Sequence, residues 1–254
     1  MFDIEFDLPP EAEMTVTYQP VLVLLSIGVA ILGSLTALAL TSGSNDAEGD
    51  SWLTSFALAN GGLIMGGTIW SMHFIAMMAV DFPIVVNYNL IETIASICIA
   101  ILATGTGLYL TSTHKFGNWS IPVGGLFMGL GIAGMHYLGM SAIRGCGLAY
   151  DFRLVAASVG IAVGASMAAL WFAFYKRGFF TTLAGGVVQG LAIASMHYTA
   201  MAATFFVPLG VSVELATPLF AQSLLAYMIA CGIAVLSIGN LSLIALLSTQ
   251  NRSA

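Results

Sequence analysis

Three histidines, His73, His136 and His197, lie 63 and 61 residues apart in apolar surroundings. Each follows a methionine (Met72, Met135, Met196) and precedes another by four positions (Met77, Met140, Met201). Residues 61–77 (GGLIMGGTIWSMHFIAM), 124–140 (GGLFMGLGIAGMHYLGM) and 185–201 (GGVVQGLAIASMHYTAM) align without a gap. Imidazole is costly inside a membrane span and there faces protein, water or a ligand. None of the three segments contains Asp or Glu, so ion pairing does not explain the histidines, and a metal is their natural partner. Imidazole suits zinc, copper, iron and nickel, whereas soft thioether sulfur selects copper, above all Cu(I). Magnesium and calcium want oxygens, and structural zinc prefers thiolates with histidines. The mixed His and Met set favours copper, with haem iron as the alternative because haem accepts axial His or Met.

The plainer reading is that the histidines are hydrogen-bonded packing residues and the methionines filler, copied by duplication. Against it, neighbouring repeat positions have diverged. Eight residues before the histidine stand Met65, Met128 and Gln189, and one after it stand Phe74, Tyr137 and Tyr198. The Met-His pair and the Met at +4 persist in all three copies.

Such spacing has meaning only on a helix. At 100° per residue the glycines at −11 and −7 (Gly62 and Gly66, Gly125 and Gly129, Gly186 and Gly190), the Ile at −4 (Ile69, Ile132, Ile193) and the Met at +4 fall within about 60° of the histidine. Each copy is thus one stripe, GxxxG in its first half and His with Met in its second. Small residues let membrane helices approach closely, so the bundle is expected to pack at the glycines and open into a pocket at the imidazoles. Met77, Met140 and Met201 are candidate metal ligands with the histidines. Met72, Met135 and Met196 point about 100° away and either complete the site from a neighbouring helix or pack. Ser71, Ser195, Tyr137, Tyr198 and Thr199 are candidates to orient an imidazole. Asp81, Asn87 and Glu92 fall in a loop that caps the pocket. Asn60 is an isolated polar residue within a span, and His114, beside Lys115, reads as solvated.

The elements that carry these stripes follow from composition. Of 254 residues, 59% are hydrophobic and 7% charged, with mean hydropathy +0.96; a soluble domain carries about 25% charged residues. Apolar runs at 18–41, 52–80, 93–113, 116–143, 154–175, 178–207 and 215–247 each reach the ~20 residues that cross a bilayer. The expected fold is an all-α integral membrane protein, seven transmembrane helices built from three helical-hairpin repeats plus a final helix. Residues 1–17 form an acidic N-terminal segment, 18–247 the membrane domain, and 248–254 the start of a tail or linker. Met1 to Glu13 holds five acids and no Lys or Arg, the reverse of a secretory leader.

Seven spans put the termini on opposite faces. With the C-terminus in the cytoplasm, Lys115, Lys176, Arg177 and Arg252 lie inside and Arg144 and Arg153 outside, the sense of the positive-inside rule. The N-terminus is then outside, and the histidines lie nearer the outer surface. Six Lys and Arg in all give nucleic-acid binding no electrostatic basis. Cys98, Cys146 and Cys231 lack disulfide or zinc spacing. No nucleophile–base pair, paired carboxylates or phosphate loop stands out, so no enzymatic activity is expected of this chain alone.

The third copy reads Met196-His197-Tyr198-Thr199, and the chain resembles the MHYT family of bacterial signalling proteins over about residues 18–250. The other copies keep Met and His but read Met72-His73-Phe74-Ile75 and Met135-His136-Tyr137-Leu138. The resemblance implies a bacterial inner-membrane sensor that binds copper through these residues and responds to a diatomic gas such as oxygen, carbon monoxide or nitric oxide. It also implies a cytoplasmic output domain, often one that makes or degrades cyclic di-GMP, as a partner, and none is found up to Ala254. A homodimer is compatible with this reading. The alternative is a copper transport or copper-handling protein.

Overall fold

The computed structural model describes residues 14–44, 51–113, 116–175, 178–208 and 222–253. Its helices are α1 (Pro20–Ser44), α2 (Ser51–Met78), α3 (Leu90–Ser112), α4 (Ser120–Ser141), α5 (Phe152–Tyr175), α6 (Phe179–Ala202) and α7 (Gln222–Ser253). All seven are long and apolar enough to cross a membrane. Segments 1–13 and 209–221, and His114 with Lys115, lie outside the described residues; α7 runs on through 248–253.

Helices α1 to α6 pack each against the next, and α6 closes on α1. The result is a six-helix ring in which the histidine helices α2, α4 and α6 alternate with α1, α3 and α5. Helix α7 lies outside the ring, against α1 and α2.

Glycine sets the ring's close approaches. A Cβ added at Gly66 would stand 2.6 Å from the Ile101 Cα, at Gly129 2.5 Å from the Val163 Cα, and at Gly190 2.6 Å from the Ile31 Cα. The GxxxG face of each histidine helix therefore meets the next helix round the ring: α2 on α3, α4 on α5, α6 on α1. The glycine just before it faces backwards, Gly61 towards Thr41 of α1 and Gly185 towards Phe172 of α5. Each Gly-Gly pair is thus wedged between two neighbours, which no larger pair permits.

Three short antiparallel strand pairs close the histidine end, taking up the ends of the apolar runs 52–80, 116–143 and 178–207 as well as the loops between spans. They are β1 (Thr17–Tyr18) with β2 (Val80–Asp81), β3 (Asn87–Tyr88) with β4 (Ile143–Arg144), and β5 (Cys146–Tyr150) with β6 (Thr204–Pro208). Each pair joins the start of a hairpin to its end, so the repeat is a β-α-α-β unit. The closure recurs in detail: the amides of Gln19, Asn89 and Asp151 donate to the carbonyls of Ala79, Ala142 and Ala203, each at 2.8 Å. Asn89 and Asp151 also cap their helices. Asn89 Oδ1 accepts from the Ile91 and Glu92 amides, and Asp151 Oδ1 from the Arg153 and Leu154 amides. Glu92 therefore stands in the first turn of α3, not in a loop as expected, and pairs with Arg144 at 2.7 Å across the β3–β4 corner.

At the far end Tyr109, Trp119, Tyr175, Phe179 and Phe180 are exposed. Such a girdle marks the boundary between hydrocarbon and headgroups.

Candidate metal centre

Each histidine sits five residues before the end of its helix, because α2, α4 and α6 end at Met78, Ser141 and Ala202. The repeat thus fixes one level, and the closed ring turns all three rings inward. Nδ1 of His73 lies 3.1 Å from Nδ1 of His197 and 3.1 Å from Nδ1 of His136. Ring centroids are 4.8, 5.1 and 5.1 Å apart with interplanar angles of 75°, 75° and 79°. This is a three-bladed propeller about the ring axis. His73 is 1% exposed and the other two 0%.

Three neutral imidazoles cannot satisfy one another in this arrangement. A single nitrogen is either a donor or an acceptor, yet Nδ1 of His73 meets two others. The Nε2 atoms of all three are buried without a hydrogen-bond partner. A cation could take the Nδ1 lone pairs and so remove the Nδ1 conflict, leaving each ring's proton on Nε2. Metal–imidazole bonds of about 2.0–2.1 Å around one ion put ligand nitrogens about 3.4 Å apart, within a few tenths of an ångström of the two separations from His73, and one candidate ligand nitrogen from each ring lies within 4.8 Å of the others. Among the described residues these histidines form the one group of three or more His, Cys, Asp or Glu side chains arranged to hold a metal ion.

The six methionines of the repeats fall in two buried clusters. Met77, Met140 and Met201 lie together in one buried cluster with Cys146 and Phe206, towards the strand pairs. Met72, Met135 and Met196 lie in the main core with Ile69, Ile132 and Ile193. All six methionines are at most 3% exposed. Gly139, the small residue at +3 of the second copy, abuts Nε2 of His73; a Cβ there would collide with the imidazole.

Three of the five hydroxyls singled out in the sequence are bonded elsewhere. Tyr137 bonds Ser158 Oγ at 2.8 Å, Tyr198 bonds Ser26 Oγ at 3.0 Å, and Ser195 donates to the Leu191 carbonyl. Ser71 is buried, and Thr199 lies on α6 within a turn of His197. Asp81 accepts from Gln19 Nε2 at 2.7 Å in the β1–β2 corner, and Asn87 is in β3.

A set missed in the sequence is Ser26, Ser96 and Ser158. Each sits six residues into its helix, is fully buried, and donates to the carbonyl three residues back. Each also receives a bond from a histidine helix: Ser26 from Tyr198, Ser158 from Tyr137, and Ser96 from Trp70 Nε1 at 3.0 Å. Phe74 has no hydroxyl, and Trp70, one turn earlier, does its work. The common offset from Pro20, Leu90 and Phe152 was the available signal; it is visible only once the helix starts are known.

A ring of membrane helices that gathers three buried imidazoles at one end is a multi-pass membrane domain with a group that could hold a metal ion. Comparison with known proteins places it further. Residues 6–51, 66–124, 129–186 and 190–248 match the MHYT family, described as a bacterial signalling protein N-terminal repeat. The chain belongs to that family. The family's unit is phased differently from the structural one: its second, third and fourth matches each start inside a histidine helix and run into the helices that follow.

The chain is 41% identical over 203 residues to the bifunctional diguanylate cyclase/cyclic di-GMP phosphodiesterase MucR of Pseudomonas aeruginosa, covering 76% of this chain and 29% of that protein. It is 37% identical over 212 residues to the cyclic di-GMP phosphodiesterase NbdA of the same organism, covering 78% and 26%. With the signaling protein YkoW of Bacillus subtilis it shares 35% over 202 residues, 76% and 25%. The chain thus spans under a third of the length of these relatives. No solved structure matches it.

Proposed function

We propose that this chain is a copper-binding sensor domain of the bacterial inner membrane that detects a diatomic gas or redox state. The observation that carries the reading is the meeting of three buried Nδ1 atoms at 3.1 Å on two sides, and the buried methionines at −1 and +4 of each histidine support it. His73, His136 and His197 hold the ion, and Met77, Met140 and Met201 are the nearest soft donors on the strand side. Bound there, copper supplies a soft coordination position for oxygen, carbon monoxide or nitric oxide, or a change of oxidation state.

The protein's own part is to gather, orient and exclude water. The three ligands arrive on separate helices held by the Tyr–Ser and Trp–Ser bonds, so a change in what the centre prefers bears on the helices that carry it. The histidines lie on the outer side, with the N-terminus outside and the C-terminus in the cytoplasm, where α7 leads towards an output domain. The relatives' printed activities in cyclic di-GMP turnover support such an output. Haem iron is less suited, since the three imidazoles are 0–1% exposed and stand within 3.1 Å of one another on two sides.

Infrared spectra of Cu(I)-loaded protein under carbon monoxide test the reading. A copper–carbonyl band that disappears in His136→Ala is expected. Copper-loaded protein with no such band, and no spectral response to oxygen or nitric oxide, would contradict gas sensing. The alternative of copper handling has one point in its favour: Met65 and Met128 continue the buried thioethers inward from Met72, Met135 and Met196. Copper uptake by vesicles containing the chain would establish it.

A further inference from the structure

Helix α7 meets the ring through a polar contact that the repeat does not require. Nδ2 of Asn60, on α2, donates to Oδ1 of Asn240, on α7, at 2.6 Å. The second amide is held in place, since its own Nδ2 donates to the Leu236 carbonyl at 2.8 Å. Asn60 stands thirteen residues before His73. The same place in the other copies holds Val123 and Ala184. The amide therefore occurs in the one copy whose histidine helix packs on α7, and inheritance by duplication does not account for it.

The rest of the contact is apolar. Ala226, Ala230 and Ile233 of α7 are buried against Leu22 and Val29 of α1 and against Phe74, Ile75 and Met78 of α2. These join α7 to the histidine end of α2. Asn240 joins it to the other end, about 20 Å further along α2 from His73 at 1.5 Å per residue. A surface held at both ends of one helix follows that helix as a body. Polar bonds between membrane helices are individually modest, enough to hold a register without locking it.

We infer that the Asn60–Asn240 pair is the coupling contact by which the position of α2, set by ligation at His73, is passed to α7 and so out of the domain. This rests on the metal reading above. It adds that the state of the centre leaves through α2 rather than through α4 or α6. Helix shifts in switching proteins are typically about 1–2 Å, and a lever about 20 Å long turns a small rotation at the histidine into a displacement of that size.

The experiment uses the whole chain in lipid nanodiscs with Cys98, Cys146 and Cys231 replaced by alanine. Nitroxide labels are placed at Leu243→Cys on α7 and Phe127→Cys on α4, both exposed positions. Their separation is measured by pulsed EPR with and without Cu(I), and copper is counted in the same samples. Expected is a shift of about 1–2 Å on copper loading, lost in Asn60→Leu and in Asn240→Leu while copper content stays unchanged. Asn240→Gln is expected to restore part of it. Copper-loaded protein that shows no shift, or the same shift in both leucine variants, overturns this inference and leaves the metal reading standing. Protein that takes up no copper overturns both.

Discussion

At the scale of single residues, the proposed centre rests on a crowding of neutral ring nitrogens that a bound cation would relieve. The residues round it differ in role. Tyr137 and Tyr198 extend away from the imidazole nitrogens to serines on the next helix, so their hydroxyls tie helices. Tyr137→Phe combined with Tyr198→Phe is expected to leave copper content unchanged and to lower stability by about 1–2 kcal/mol in total, read from thermal unfolding in detergent. Loss of copper in that variant would make the tyrosines part of the centre. Cys146, outside the spans and buried beside Met140 and Met201, has its thiol pushed up to about 11 by burial. The protonated form is favoured in the folded protein, so its contribution to stability is present below about pH 9 and is lost as pH rises towards 11. In a Cys98→Ala, Cys231→Ala background, maleimide is expected to label Cys146 at pH 8 at least about 100-fold more slowly than a free thiol, because the thiolate fraction falls tenfold per pH unit below the pKa. Labelling at the free-thiol rate would show that the strand end of the bundle is open.

At the scale of elements, the GxxxG faces decide whether the imidazoles meet. A Cβ at Gly129 would press on the Val163 backbone at 2.5 Å, and backbone cannot rotate aside. Gly129→Ala is expected to spread α4 from α5, to cost about 1–3 kcal/mol as overpacking does, and to weaken copper retention without touching a ligand; full copper content at wild-type stability would mean the ring tolerates the gap. These elements were largely legible in the sequence. The three histidines, their common depth and the glycine stripe follow from spacing, because a period of 3.6 leaves few choices in a membrane. The partner of each glycine face did not follow, since spacing on one helix does not say which helix it meets. Boundaries erred where hydropathy is blind. Thr204–Pro208 is as apolar as a helix but β-branched and aromatic, and it forms β6. The apolar run that begins at residue 93 stops short of Glu92 because hydropathy excludes a carboxylate, which stands in the first turn of α3, where it suits the N-terminus of a helix. Asn60 had no nameable partner because Asn240 is 180 residues away.

At the scale of the whole molecule, three equivalent hairpins close a ring, and a seventh helix breaks the symmetry. Symmetry suits the proposed binding of one ion by three like ligands, and the asymmetric helix is the proposed single exit. The MHYT relatives carry far more chain than this domain spans, consistent with a sensor joined to separate output. A metal that binds only the folded ring stabilises it by mass action, about 2.7 kcal/mol at a hundredfold excess over its dissociation constant. Removing copper with a Cu(I) chelator is therefore expected to lower the unfolding temperature by several degrees. An unchanged temperature in protein shown to have held copper would place the metal away from the ring axis.

The most direct measurement is elemental analysis of the chain purified from cells without added metal, beside His73→Ala, His136→Ala and His197→Ala. About one copper per chain is expected in the parent protein and a several-fold loss in each variant, since each removes one of three equivalent donors. Parent protein free of copper, or copper retained in all three variants, would contradict a metal centre at the meeting of these histidines.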